Sequence, residues 1–263
     1  MKLAVSTLGC PTWPFEEIVQ KCRGYGFQAL EIRGVQNAMQ PGELTMFDEA
    51  HAGQTKLLLQ SNGLSLCTLG TSVKFSDPSL EEASRQEAYA SVELARRMGI
   101  PSLRVFGDKI VVPDSVQRAI HGLRWLTEQA PDIQILLEIH GQFQTIEVLR
   151  PIMEAIDAHN FGIVWDVAHS DEVYGDQWQP FYEAIAPRIR EIHLKDYHRS
   201  LGRQGLCLMG EGDIPWNSIL QRLRADGFDG YYTLEWEKRW LSYLPEPEIA
   251  FPQYVNWMKE REL

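Results

Sequence analysis

Residues Arg190–Arg199 read REIHLKDYHR. Ile189, Ile192 and Leu194 form an apolar run of strand length that ends in a cluster of charge. Side chains alternate faces along a strand, so His193 and Lys195 share one side. Asp196, His198 and Arg199 follow at the strand exit. A strand that buries His and Lys on one face must offer them partners, because an unpaired polar or charged group is costly to bury.

Three other segments have this shape: ILLEIH at 135–140, GIVWDVAH at 162–169 and YYTLEWE at 231–237. They stop on Glu138 and His140, on Asp166 and His169, and on Glu235 and Glu237. Working outward, further apolar runs predict strands at Leu3–Ser6, Gln28–Ile32, Leu64–Leu69 and Leu103–Phe106. Helical spacing predicts helices between the strands. Phe15, Ile18, Val19 and Cys22 follow Pro14, Phe47–Asn62 is closed by Gly63, and Ser79–Met98 opens on a Ser79/Glu82 capping box. Others are expected over Pro113–Ala130, Thr145–Ala158, Gln179–Ile185, Pro215–Ala225 and Pro247–Lys259. Eight strands alternating with helices, without a Pro/Ser-rich linker, predict one domain over residues 1–263, an α/β fold of the single (β/α)8 TIM-barrel kind. An open doubly wound sheet fits less well, since no GxGxxG follows the first strand and polar residues sit at many strand ends. In a barrel those ends meet at one face.

The chain has 263 residues, 44% of them hydrophobic, and a formal net charge of -11. That balance disfavours nucleic acid, whose phosphates are held largely by Lys and Arg. The four cysteines, Cys10, Cys22, Cys67 and Cys207, show no CxxC pair and read as reduced thiols of a cytoplasmic protein. The apolar part of MKLAVSTLGCPTW is too short for a signal peptide, and no run of about eighteen apolar residues predicts a membrane span. A homo-oligomer is compatible with the sequence.

Glu138, Asp166, His193 and Glu235 come one from each of the last four predicted strands. Around one mouth they make a hard, mostly oxygen site for one divalent metal ion, Mn²⁺ first, with Mg²⁺, Co²⁺ or Zn²⁺ as other fits. The alternative is that each caps a strand or pairs with a nearby Lys or Arg. His169, three residues after Asp166 in an expected loop, is placed for substrate. His140 shares the side of Glu138 and serves either substrate or that glutamate. Lys195 faces substrate or forms an ion pair with Glu138 or Glu235. Arg199 is placed for a hydroxyl or phosphate, and Trp13 for a wall of the site. The stretch Gly210-Glu-Gly-Asp213 reads as a turn with an Asp cap before a helix.

LEIHG, WDVAHS, IHLKD and LEWE, in this order and spacing, resemble the xylose isomerase-like TIM-barrel superfamily over nearly the whole chain. The resemblance implies four metal ligands at Glu138, Asp166, His193 and Glu235. It implies that the two glutamates double as acid and base, and that His169 and Arg199 bind substrate oxygens. Ketose 3-epimerases of that group carry a further Glu where Gln144 stands here. The endonuclease branch needs histidines that Gly70–Ser72 and Phe106–Asp108 do not offer. The expectation is a metal-dependent isomerase or epimerase of a keto sugar, acting through an enediolate. An inosose dehydratase-like lyase and a non-catalytic sugar-binding barrel are the alternatives.

Overall fold

A computed structural model describes residues 1–261, so the last two residues of the expected domain lie outside those described. Eight parallel strands close into a barrel: β1 (Lys2–Ser6), β2 (Ala29–Ile32), β3 (Ser65–Lys74), β4 (Ser102–Asp108), β5 (Gln134–Gly141), β6 (Phe161–Asp166), β7 (Ile189–Leu194) and β10 (Tyr231–Leu234). β10 pairs with β1 and β7, which closes the ring. A short antiparallel hairpin, β8 (Asp196–Tyr197) with β9 (Leu206–Cys207), stands over the exit of β7. The barrel is the one expected from the sequence.

The helices are α1 (Phe15–Tyr25), α2 (Ala52–Ser61), α3 (Glu81–Met98), α4 (Ser115–Gln129), α5 (Ile146–Ala155), α6 (Val167–Tyr174), α7 (Trp178–Ile185), α8 (Trp216–Ala225) and α9 (Pro247–Lys259). Their apolar faces pack on the outside of the barrel and make one large core with residues such as Ile18, Leu123, Ile152 and Phe251. Glycine ends α1, α3 and α6. Gly26 and Gly99 take φ of 107° and 75°, a left-handed turn that costs glycine little.

Three local readings change. The expected capping box before α3 is replaced by Asp77, whose side chain accepts the Ser79 N–H at 2.8 Å. The segment after β6 is a helix, α6, rather than a loop. Asp166 is its N-cap and accepts the His169 N–H at 3.2 Å. In the Gly210–Asp213 turn the organising carboxylate is Asp196, which accepts N–H groups of Tyr197 (3.0 Å), Gly210 (2.9 Å), Gly212 (3.2 Å) and Ile214 (3.4 Å). Asp213 instead accepts the Arg199 N–H at 2.8 Å.

Only a few small side chains, Ala4, Ala29 and Cys67, form an apolar cluster of their own apart from the main core. Inward positions of several strands are polar: Glu31, Thr68, Arg104, Glu138, Glu191, His193 and Thr233 are all buried. A barrel interior filled with charge near the strand ends puts the chemistry there, since each of these groups needs partners.

Candidate active site

Strand register gathers the site. Asp166 on β6 lies beside His193 on β7, and His193 beside Thr233 on β10, two residues before Glu235. Glu138 on β5 pairs with Phe106 on β4. One ligand-type atom each from Glu138, Asp166, His193 and Glu235 lie within 4.8 Å of one another, and all four residues are buried. His193 Nε2 is 2.8 Å from Glu31 Oε2, while Nδ1 is 3.5 Å from Glu235 Oε1 and 3.8 Å from Glu138 Oε2. A carboxylate on one ring nitrogen fixes the tautomer and turns the other toward the cluster.

Glu138 Oε2, Asp166 Oδ2 and His193 Nδ1 are buried and make no hydrogen bond. Three ligand-type atoms aimed at one place, with only cations of the chain against two of them, suit a bound cation once His193 Nδ1 gives up its proton, so the residues fit a divalent metal ion. Cations of the chain lie beside them. Arg104 Nε is 2.8 Å from Glu138 Oε2, out of line for a hydrogen bond. Lys195 Nζ reaches Asp166 Oδ2 at 2.7 Å, Glu235 Oε2 at 2.5 Å and Glu237 Oε1 at 3.0 Å.

Burial and charge set the protonation of these groups. Burial pushes the Glu138 carboxyl up to about 8, against the pull of Arg104. Burial also raises Asp166, opposed by Lys195. Burial would raise Glu235 too, but Lys195 and His193 outweigh it and hold this carboxyl well below the usual range. Desolvation disfavours charged His193 and Lys195, yet the surrounding carboxylates raise both well above their ordinary values.

A cavity of about 160 Å³ opens above the cluster. Its lining includes Glu138, His140, His169, Lys195, Glu235 and Glu237, with Arg33, Arg203 and Trp240 among the others. The His140 and His169 rings meet edge to face at 4.5 Å. Burial lowers His140 to about 4, assisted by His169 and Lys195, and lowers His169 to about 3, assisted by Lys195, so both are neutral near pH 7. His169 reaches the cavity from the first turn of α6.

Two expected substrate residues lie elsewhere. Arg199 is held by Asp171 (Nε at 2.8 Å, Nη2 at 2.7 Å) and by Asp176 (2.9 Å), and it is absent from the lining. Trp13 is buried with its ring edge-on to Phe251 at 5.8 Å and Lys21 Nζ 4.1 Å above it. Leu8 and Trp240 line the cavity instead. Sequence reasoning passed over Glu31, Arg33, Arg104 and Arg203. ALEIRG at 29–34 repeats the form of LEIHG, and that was the available signal for Glu31. Arg104, inside the run SLRVFG, carried none beyond being a charge in a buried strand.

Residues 19–261 match the family model described as xylose isomerase-like TIM barrel. A protein of Escherichia coli K12 provisionally named L-ribulose-5-phosphate 3-epimerase is 23% identical over 270 residues, covering 95% of this chain and 91% of its own. Among solved structures, the provisionally named 3-DHS dehydratase AsbF of Bacillus anthracis superposes with a TM-score of 0.83 at 18% identity, over 98% of this chain and 99% of its own. The 3-keto-D-glucoside 4-epimerase of Escherichia coli superposes with a TM-score of 0.75 at 15% identity, over 99% of both chains.

Proposed function

The chain belongs to the xylose isomerase-like TIM-barrel family, and we propose that it is a divalent-metal-dependent isomerase or epimerase of a keto sugar or sugar derivative. The observation that carries this reading is the pair of carboxylates, Glu138 and Glu235, facing one small polar cavity across His193. Glu138, Asp166, His193 and Glu235 are the residues that would hold the metal. Three carboxylates and one imidazole suit Mn²⁺ first, then Mg²⁺, Co²⁺ or Zn²⁺. The bound ion would supply Lewis acidity that makes a proton next to a carbonyl removable.

The chain's own groups do the rest. One of the two glutamates takes the α-proton and the other returns a proton from the opposite face, which inverts the carbon. Lys195 Nζ, kept protonated by three carboxylates, faces the oxygen on which negative charge develops. His140 and His169, neutral in the cavity wall, hold substrate hydroxyls. The substrate is a small molecule rather than nucleic acid, and the compartment is the cytoplasm, where four unpaired cysteines remain reduced. No helix among the described residues is long and apolar enough to cross a membrane.

A lyase is the second reading, favoured by the adjacent imidazoles of His140 and His169. It begins with the same proton removal, after which the β-hydroxyl leaves as water with the proton the glutamate has taken, its oxygen held by a neutral imidazole N–H. Incubating Mn²⁺-loaded protein with a panel of keto sugars in deuterated water tests both. Deuterium at the α-carbon without loss of water supports the first reading, and a product lighter by water supports the second. No exchange and no water loss, with binding retained, leaves a non-catalytic sugar-binding barrel.

A further inference from the structure

We propose that this cavity selects a substrate bearing an anionic group, a carboxylate or a phosphate, and that Arg33 binds it. The inference rests on the reading of the cavity as a substrate site. Four cationic side chains line it: Arg33, Arg104, Lys195 and Arg203. Three have carboxylate partners. Arg104 has Glu138, Lys195 has Asp166, Glu235 and Glu237, and Arg203 has Glu237 at 2.7 Å. Arg33 has none within ion-pair distance among the described residues. Its Nη2 donates to Ser72 Oγ at 2.9 Å, and its Nη1 is buried without a hydrogen-bond partner. Glu87 is the nearest candidate counter-ion in charge terms, but its Oε1 is taken by the Ser72 N–H at 2.6 Å.

The surroundings make an unpaired cation here costly. Burial, then the charge of Arg104, lowers Arg33 to about 10, so it stays protonated at neutral pH. The two arginines lie side by side because residue 70 is glycine. A Cβ there would come within 2.9 Å of Arg33 Cδ and 2.8 Å of Arg104 Nη2. A chain with 36 acidic and 25 basic residues has acids to spare, yet Glu87, Glu31 and Glu138 act on this guanidinium only from beyond ion-pair distance. An anionic substituent on the substrate would complete the pairing. The planar fork of Arg suits the oxygens of a carboxylate or phosphate better than a lone hydroxyl.

Calorimetric titration of wild-type protein and Arg33→Met, with and without Mn²⁺, tests this on D-ribulose, D-ribulose 5-phosphate and 2-keto-D-gluconate. Wild type is expected to bind at least one anionic probe about tenfold or more tighter than ribulose, and the preferred probe separates phosphate from carboxylate. Arg33→Met should weaken that probe by roughly ten- to a hundredfold and leave ribulose unchanged. Equal affinity for all three probes in wild type, or an unreduced preference in Arg33→Met, overturns the proposal. Should Arg33→Met lose cooperative unfolding, Arg33→Lys carries the test. Loss of the fork is then expected to cost about tenfold on the anionic probe alone, and an unchanged preference overturns the proposal. Deuterium exchange on the same probes is read separately. Exchange without anion preference removes this inference and keeps the enzymatic reading. An Arg33-dependent preference without exchange on any probe does the reverse.

Discussion

Replacing Glu138 or Glu235 by Gln keeps the shape of the side chain and removes its capacity to take a proton. Inversion needs a base on each face, so Glu138→Gln and Glu235→Gln are each expected to lower turnover and α-proton exchange by roughly 10²–10⁴-fold. Near-normal turnover in either variant, at matched metal content, would assign the proton transfer to another residue. His169 and Arg199 separate in the same way. His169 lines the cavity, so His169→Ala should lower kcat/KM by about tenfold, the effect of about 1.4 kcal/mol. Arg199 is spent on Asp171 and Asp176, so Arg199→Ala should leave kcat/KM within about threefold of wild type and lower stability by about 1–2 kcal/mol. Steady-state kinetics beside urea unfolding checks both. What was legible at this scale was the set of residues that ends apolar runs. What was not legible was direction. Arg199 stands six residues after His193, as in the family pattern, but two acids contributed by other segments claim its guanidinium. No local signal in RSLG foretells Asp171 or Asp176.

At the scale of elements, the strands were readable because a buried parallel strand is a continuous apolar run bounded by turn residues. α6 was missed because VAHSDEVY has no apolar stripe. It is helical because Asp166 caps it, and the cap was already assigned to chemistry. The hairpin β8–β9 was missed because two-residue strands leave no pattern. Backbone pairing holds this hairpin, and the turn that follows it is fastened to it mainly by one side chain. Asp196 accepts four backbone N–H groups, and a Cβ at Gly212 would lie 2.2 Å from its Oδ1. Asp196→Ala leaves those donors to find water, which is expected to cost about 2–4 kcal/mol. The same change should loosen residues 198–214, the stretch that brings Arg203 to the cavity rim. Faster amide exchange confined to that stretch, with KM raised more than kcat is lowered, is the expected result. Unchanged exchange there would mean the turn holds without the carboxylate.

At the scale of the whole molecule the barrel interior carries a surplus of negative charge. Glu31, Glu138, Asp166, Glu191, Glu235 and Glu237 are buried around Arg104, Lys195 and His193. A divalent cation would meet that surplus, and without one the fold must hold extra protons. Burial lifts Glu138 to about 8 and raises Asp166 and Glu191, and nearby carboxylates lift His193 well above its ordinary value. Between about pH 6.5 and 8 the folded chain therefore binds more protons than the unfolded one, and stability falls as pH rises. His140 and His169 act in the opposite sense, but only below about 6.5, where the unfolded imidazoles charge and the folded ones do not. Each extra proton is worth about 1.4 kcal/mol per pH unit, so chelator-treated protein should lose on the order of 2 kcal/mol or more across this window. Mn²⁺ at about a hundredfold over its Kd adds about 2.7 kcal/mol by mass action. It should also flatten the pH dependence, since the carboxyls it binds give up their protons. Urea midpoints at pH 6.5, 7.25 and 8, with chelator and with Mn²⁺, make the measurement, and metal analysis should return one ion per chain. Glu138→Gln, which cannot titrate, should show a shallower loss in chelator than wild type. Stability that rises over the window in chelator, or a slope that Mn²⁺ leaves unchanged, would place the extra protons outside this cluster and remove the four-residue metal site with them.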